Sequence, residues 1–358
     1  MKKILIDGMT CNKGGKETFI INHYKKLIAT DRYEFTFISY DDEMAYEDYL
    51  KETGASVIHL PPRNRGLVQY VSALNRLLRE GRFDVVWAHE TSLSRCELLM
   101  LAKLHRVPKR LIHSHSSSNM GSRFTYIMHS INKVFLPLWV TDRLACSESA
   151  AKWFYRGKNY RIIKNGIDVE QYRFDQQVRD SIRDAFDLGD SLVIGHVGRF
   201  GFEKNHKKLI NVFNNLLRIR PDSKLLLCGD GEERSNIEAQ IKELGICDNV
   251  LLLGVVDNVH QILQAVDVLV MPSLFEGLPF ALLEAQASGL NCVVSDTVSK
   301  EADVTDQIVF LPLELDDYKW AEVIAGELNS NREASAEVII HKGFDINESV
   351  RIVEDLLD

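Results

Sequence analysis

The chain has 358 residues, is 45% hydrophobic and 26% charged, and carries a net charge of −8. That length exceeds what one hydrophobic core usually serves and points to two domains, and the ordinary composition excludes a disordered, collagen-like or disulfide-scaffold chain. No stretch reads as a signal peptide or stays apolar long enough to cross a bilayer, and the six scattered cysteines lack a C-x-x-C pair and read as reduced cytosolic thiols.

In chain order, "KKILIDG" reads as a buried strand and "GGKETFIINHYKKLI" as an amphipathic helix. "YEFTFISY", "ASVIHL", "FDVVWAHE" and "RLIHSHS" read as further strands, with helical patterns such as "LVQYVSALNRLLREG" and "LSRCELLMLAKLHRV" between them. This alternation implies a parallel sheet covered on both faces. After "IIKNGID" comes a polar stretch, "VEQYRFDQQVRDSIRDAFDLGD", without a strand signal, and the domain boundary is set there, at 170/171. The pattern then restarts with strands in "SLVIGHVGRF", "SKLLLCGDG", "NVLLLGVV", "VDVLVMPS" and "NCVVSD" and helices such as "KKLINVFNNLLRIR", "NIEAQIKELG" and "FALLEAQASG". The second block, 171–342, is therefore also doubly wound. "INESVRIVEDLLD", with a start signal at Asn347, reads as a terminal helix within 343–358. Two such domains joined once are expected to face each other with the carboxyl ends of their sheets, where open α/β sheets bind ligands.

The charge is uneven. Residues 1–170 hold 26 Lys+Arg against 18 Asp+Glu, a balance of +8, and the remainder sums to −16. The first half favours an anionic partner unless the difference is chance. Nucleic acid is not expected, because the basic residues are dispersed and no recognition motif accompanies them.

Four stretches carry candidate chemistry. In "FEGLPFALLEA", Gly277 and Pro279 favour a turn into a helix whose free amides suit an anion. Glu276 precedes that turn, and Glu284 lies about 12 Å further on if the intervening residues are helical. Two carboxylates flanking an anion site suit a ligand with hydroxyls at both ends and a diphosphate between, the layout of a nucleotide sugar. The plain alternative is one dipole-favoured and one solvated glutamate. In "VGRFGFEKN", Arg199 and Lys204 supply cations for a departing diphosphate, or are simply surface loop residues. In "NKGGKE", Gly14 and Gly15 permit positive φ and close backbone approach, hence a phosphate nest or only a turn; the Walker A and G-x-G-x-x-G patterns are absent. "IHSHSSS" puts His113 and His115 on one face of a strand end, as substrate contacts or satisfied structural histidines. No acidic or thiol cluster completes a metal set around them, and no D-x-D pair ends a strand, so no metal and no cofactor are expected.

In order along nearly the whole chain, "GGKE", "HSH", "LACSESA", "IIKNGID", "GRFGFEKN" and "EGLPFALLEAQASG" resemble the motifs of the retaining family 4 glycosyltransferases, whose fold is GT-B. The resemblance implies two Rossmann-like domains, the first for the acceptor and the second for the nucleotide sugar, with the terminal helix packing back toward the first. It implies that Glu276 contacts the donor sugar and Glu284 the ribose. Arg199 and Lys204 would stabilise the diphosphate beside Gly198, without metal. The backbone of Gly277, Leu278, Pro279 and Phe280 would lie against sugar and phosphates. Gly15 would approach phosphate or acceptor, and His115 the reacting carbon, with Gly14, His113 and Asn165 as acceptor-side or structural candidates. Gly-Leu-Pro here replaces the commoner Gly-Phe-Gly or Gly-Phe-Pro and leaves the sugar open, a form shared with bacterial capsular and exopolysaccharide enzymes. The implied partners are a UDP-hexose or UDP-N-acetylhexosamine and a glycan or lipid-linked oligosaccharide acceptor. The implied location is cytoplasmic, at the inner face of the membrane: "SRFTYIMHSINKVFLPLW" (122–139) is apolar and weakly basic enough to lie on an anionic leaflet, unless it is a core helix. A non-catalytic binding subunit should have lost some of Arg199, Lys204, Glu276 and Glu284, and a nucleotide-sugar epimerase should lack the Glu-x7-Glu spacing; neither holds here.

Overall fold

The protein is described from a computed structural model covering residues 1–117, 122–157, 159–326 and 332–358. It divides into two compact units, Met1–Gly166 with Ile346–Asp358, and Ile167–Asp345. The crossovers thus fall at 166/167 and 345/346, a few residues from the boundaries expected at 170/171 and 342/343.

In the first unit, seven strands form one sheet: β1 (Lys2–Asp7), β2 (Tyr33–Ser39), β3 (Ser56–His59), β4 (Val85–Glu90), β5 (Lys109–Ser114), β6 (Asp142–Ala145) and β7 (Arg161–Ile162). All pair in parallel, in the order β3-β2-β1-β4-β5-β6-β7. The second unit holds β8 (Val193–Val197), β9 (Lys224–Cys228), β10 (Val250–Gly254), β11 (Val268–Met271), β12 (Asn291–Ser295) and β13 (Ile308–Leu311) in the order β10-β9-β8-β11-β12-β13, again parallel. Each sheet reverses its winding once, between β1 and β4 and between β8 and β11. At such a switch point the connections diverge and leave a crevice at the strands' carboxyl ends.

Burial explains the strand sequences. Central strands such as β1 and β4 are apolar on both faces because helices cover both. The helix Leu67–Gly81 buries Tyr70, Leu74 and Leu78, a single i, i+4, i+8 row. Strand β7 has two residues, too few to show a period in the sequence. The polar stretch after the crossover is helical, Val169–Tyr172 and Gln176–Ala185, and the Asp175 carboxylate caps the second helix by accepting from the Gln177 and Val178 amides.

The helix Ile346–Leu357 completes the first unit. It packs on the helix Gly15–Ile28, with Ser349 Oγ 3.0 Å from His23 Nε2 in a buried contact. Its carboxyl end is held by the Lys109 and Lys2 ammonium groups, which donate to the carbonyls of Leu356 (2.6 Å) and Leu357 (3.0 Å).

The carboxyl end of β9 needs a glycine. Gly229 has φ +145°, and a Cβ there would stand 1.9 Å from the Gly198 carbonyl oxygen. Gly229→Ala should therefore cost about 2 kcal/mol or more of stability, read as a lowered urea midpoint.

Candidate functional site

In the second unit the loops after β8 and β11 are tied together. The Leu274 amide donates to the Glu203 carbonyl (2.8 Å), and Asn205 Nδ2 to the Pro272 carbonyl (3.1 Å). From the other side, the Ser295 and Thr297 hydroxyls donate to the Ser273 carbonyl (2.5 and 2.7 Å), and the Ser299 amide to the Glu276 carbonyl (3.3 Å). These bonds bring Lys204 Nζ to 2.6 Å from Glu276 Oε1, with both side chains mostly buried. A Cβ on Gly198 would meet Lys204 Cε at 2.9 Å, so glycine there lets the lysine lie over the end of β8. Arg199 is more exposed and faces Glu203 (3.3 Å) and Glu232 (3.5 Å).

The helix read in "FALLEAQASG" begins at Phe280, after the turn at Gly277–Pro279. Pro279 is its extended N-cap, so the stretch from Glu276 to Glu284 is helical only from Phe280, about 6 Å of rise, and the all-helical condition behind the 12 Å spacing is not met. No side chain caps this helix, and the Phe280 and Ala281 amides donate to no described group. They stand at the switch-point edge with the helix dipole behind them. Glu284 lies on the same helix, partly accessible between its buried neighbours Leu283 and Ala285. Burial pushes its carboxyl up to about 7, against the opposing pull of a hydrogen bond from Tyr172. Tyr172 lies in the crossover stretch that showed no chemistry in sequence, and only folding brings it to Glu284.

In the first unit, Gly14 is the N-cap of the helix Gly15–Ile28 with an extended backbone (φ −94°, ψ −179°). Neither Gly14 nor Gly15 has positive φ, so the nest expected there is not formed by left-handed glycines. The loop is shaped instead by Glu17, which is buried and accepts from Thr10 Oγ1 (2.8 Å), while Thr10 Oγ1 accepts from the Asn12 amide (3.2 Å). Glu17 is the last residue of the quoted "GGKE", where it carried no assigned role. A Cβ on Gly14 would stand 3.0 Å from its Oε2.

His113 and His115 share a face as expected, with ring centroids 4.3 Å apart. His113 is fully buried, with Phe19 edge-on at 4.5 Å, and is a core residue. His115 lies just past β5 and stays partly accessible. His89, from β4, joins them: its Nδ1 is 2.9 Å from His115 Nε2. Burial holds all three imidazoles well below their usual pKa range, helped by the neighbouring histidines. Nitrogens of these three rings lie within 4.8 Å of one another, a grouping invisible in sequence because His89 comes from another strand. Two carboxylates also flank the β1/β4 switch point. Burial raises Asp7, and it pushes Glu90 up to about 7 against the pull of Arg95, 3.8 Å away. Asn165 is buried after β7, next to the crossover.

Sequence comparison connects this geometry to a family. The profile of family 4 glycosyltransferases matches residues 13–171, and that of the group 1 glycosyl transferases matches 178–309. A Bacillus subtilis protein named as a glycosyltransferase, EpsF, is 31% identical over 98% of this chain and 94% of its own. The chain belongs to the family 4 glycosyltransferases. An Escherichia coli UDP-Gal:α-D-GlcNAc-diphosphoundecaprenol α-1,3-galactosyltransferase is 28% identical over 82% of this chain and 79% of its own. The crystal structure of Anabaena HepE with UDP superposes with a TM-score of 0.79 at 18% identity, covering 100% of this chain and 99% of that one. The fold is GT-B, and this family 4 enzyme transfers glycosyl groups.

Glu284 gives the site a pH signature. Its folded pKa is raised, so its neutral form is favoured on folding, and stability falls as pH rises from the unfolded carboxylate range through about 7. Glu284→Gln keeps an acceptor for Tyr172 without the charge. Thermal midpoints should show the variant gaining on wild type at pH 8 and losing that advantage by pH 4.

Proposed function

We propose that the enzyme moves a hexosyl unit from a UDP-linked donor, a UDP-hexose or UDP-N-acetylhexosamine, to a glycan acceptor in bacterial surface polysaccharide synthesis, with retention of configuration. The observation that carries this reading is the Lys204–Glu276 pair beside the unbonded amides of Phe280 and Ala281 at the β8/β11 switch point. A diphosphate entering there competes for Lys204 and frees the Glu276 carboxylate to accept from sugar hydroxyls, so neither charge is left unpaired. Lys204, Arg199 and the amides stabilise the charge that grows on the leaving diphosphate, and the reading needs no metal for that purpose. The bond from the anomeric carbon to diphosphate breaks while the acceptor oxygen attacks from the same face. The acceptor's proton passes to the departing phosphate oxygen. Glu284 accepts from the ribose hydroxyls, and in the first unit His115 contacts substrate. The UDP named with HepE and the UDP-galactose donor and lipid-diphosphate acceptor named for the E. coli relative support the same choice of ligands.

UDP in EDTA should raise the thermal midpoint, while GDP, ADP, dTDP and NAD should not; at one hundred times Kd the gain is about 2.7 kcal/mol. Lys204→Ala and Glu276→Ala should each lower transfer by about 100-fold or more with the fold intact by circular dichroism. Full activity in either variant overturns the assignment.

A lipid-linked acceptor would bring the enzyme to a membrane, and one surface of the first unit suits an anionic leaflet. The helix Arg123–Phe135 is not a core helix: of its residues only His129 is buried. Phe124, Ile127, Ile131, Val134 and Phe135 are exposed at i, i+3 and i+4 spacings, with Leu138 beyond them. Residues 98–141 contain no Asp or Glu and six Lys or Arg. No helix among the described residues is long and apolar enough to cross a membrane. The enzyme should sediment with vesicles containing anionic lipid and not with zwitterionic ones. Ile127→Asp with Ile131→Asp should abolish that binding; equal binding by the double variant overturns the assignment of this face.

A further inference from the structure

We propose that His89 is a positioning residue that holds His115 in the tautomer protonated on Nδ1, so that His115 offers substrate a neutral N–H donor. The proposal rests on the reading that His115 contacts substrate. The geometry supplies the direction of the bond. His89 Nδ1 and His115 Nε2 are 2.9 Å apart, so one nitrogen donates and the other accepts. His89 is fully buried, and its Nε2 has no hydrogen-bond partner among the described residues. If His115 donated, the His89 proton would sit on that Nε2 as an unpartnered N–H in the core. If His89 donates from Nδ1, its Nε2 is a bare acceptor. Buried orphan N–H groups are rarer in folded proteins than under-used acceptors. The second arrangement is therefore the favoured one, and it leaves the remaining proton of His115 on Nδ1.

The surroundings keep both rings neutral, which the relay requires, since a protonated imidazole has no acceptor. Phe19, Trp87 and His113 pack around His89, and Phe19, His113 and His89 around His115. The charged group felt by both rings is Lys16, at the start of the first helix, whose positive charge opposes a second cation there. His115 Nδ1 has no partner among the described residues, and its ring is the partly accessible one of the three. His113 has no comparable choice: neither nitrogen is partnered among the described residues, so one unpartnered N–H is forced there whichever tautomer it adopts. A second at His89 is avoidable.

The test is nitrogen-15 NMR of histidine-labelled enzyme, with the His115 signal identified by its loss in His115→Ala. The expected signature is a protonated Nδ1 and a bare Nε2 on His115. Finding the opposite tautomer in the wild-type enzyme overturns the proposal, and this measurement needs only the assignment variant, His115→Ala, to fold. His89→Leu removes the donor, whereas His89→Asn puts an amide N–H near the position of Nδ1. His89→Leu should lower kcat by about tenfold or more with little change in KM for donor, and mix the His115 tautomers. His89→Asn should restore both. Equal damage in the two variants, or an unchanged tautomer in His89→Leu, makes His89 only a packing residue. One equivalent of zinc retained by the dialysed enzyme and lost in His113→Ala would replace the relay with a metal site. Full activity in His115→Ala would instead remove the substrate role of His115, while the tautomer measurement would still stand.

Discussion

The second unit is organised around one ion pair. Lys204 and Glu276 arise more than seventy residues apart, after different strands, and end 2.6 Å apart in a mostly buried setting. Removing two charges from water is costly, and the pair is tolerated because each has the other. Much of the local structure serves that meeting. Gly198 has no Cβ to obstruct the lysine, and backbone bonds tie Glu203 to Leu274 and Glu276 to Ser299. The short helix with uncapped amides begins four residues after Glu276, so cation, carboxylate and uncapped amides share one sheet edge. On the proposed reading the pair is preorganised to be exchanged, because a diphosphate and a sugar would satisfy both charges at once.

The first unit uses the opposite strategy. Its switch-point edge is lined by three histidines that burial holds below their usual range and by a Glu90 carboxyl that burial raises to about 7. Neutral imidazoles act through their hydrogen-bond geometry, which depends on tautomer, and tautomer depends on the neighbouring ring. The aromatic shell of Phe19 and Trp87 keeps solvent from scrambling that choice. The terminal helix Ile346–Leu357 supports this unit from behind, through the Ser349–His23 contact and the lysines at its end.

Much of the fold was legible because long parallel strands buried on both faces read as apolar β-branched runs, and the helices between them keep a 3.6-residue period. The resemblance to family 4 rests on motifs whose glycines, cations and carboxylates are local in sequence, so the residues of the donor loops and the two histidines after "RLI" could be named from the chain alone. The two-residue strand β7 could not be read, since two residues carry no period. The exposed side of the helix Arg123–Phe135 could not be read either, because an apolar stripe looks the same whether a core or a membrane covers it.

Tertiary structure alone decided the pairings. That Lys204 meets Glu276 while Arg199 faces Glu203 and Glu232 depends on how two loops cross, which spacing does not encode. That Glu284 is raised to about 7 and bonded by Tyr172 depends on a crossover segment folding onto a distant helix. That His89 completes the histidine cluster depends on β4 lying beside β5. Sequence by itself determined which chemical groups the loops carry, because residue type is local. Structure determined which groups touch, and therefore their charge state and direction, because contact, burial and hydrogen bonding are properties of three dimensions.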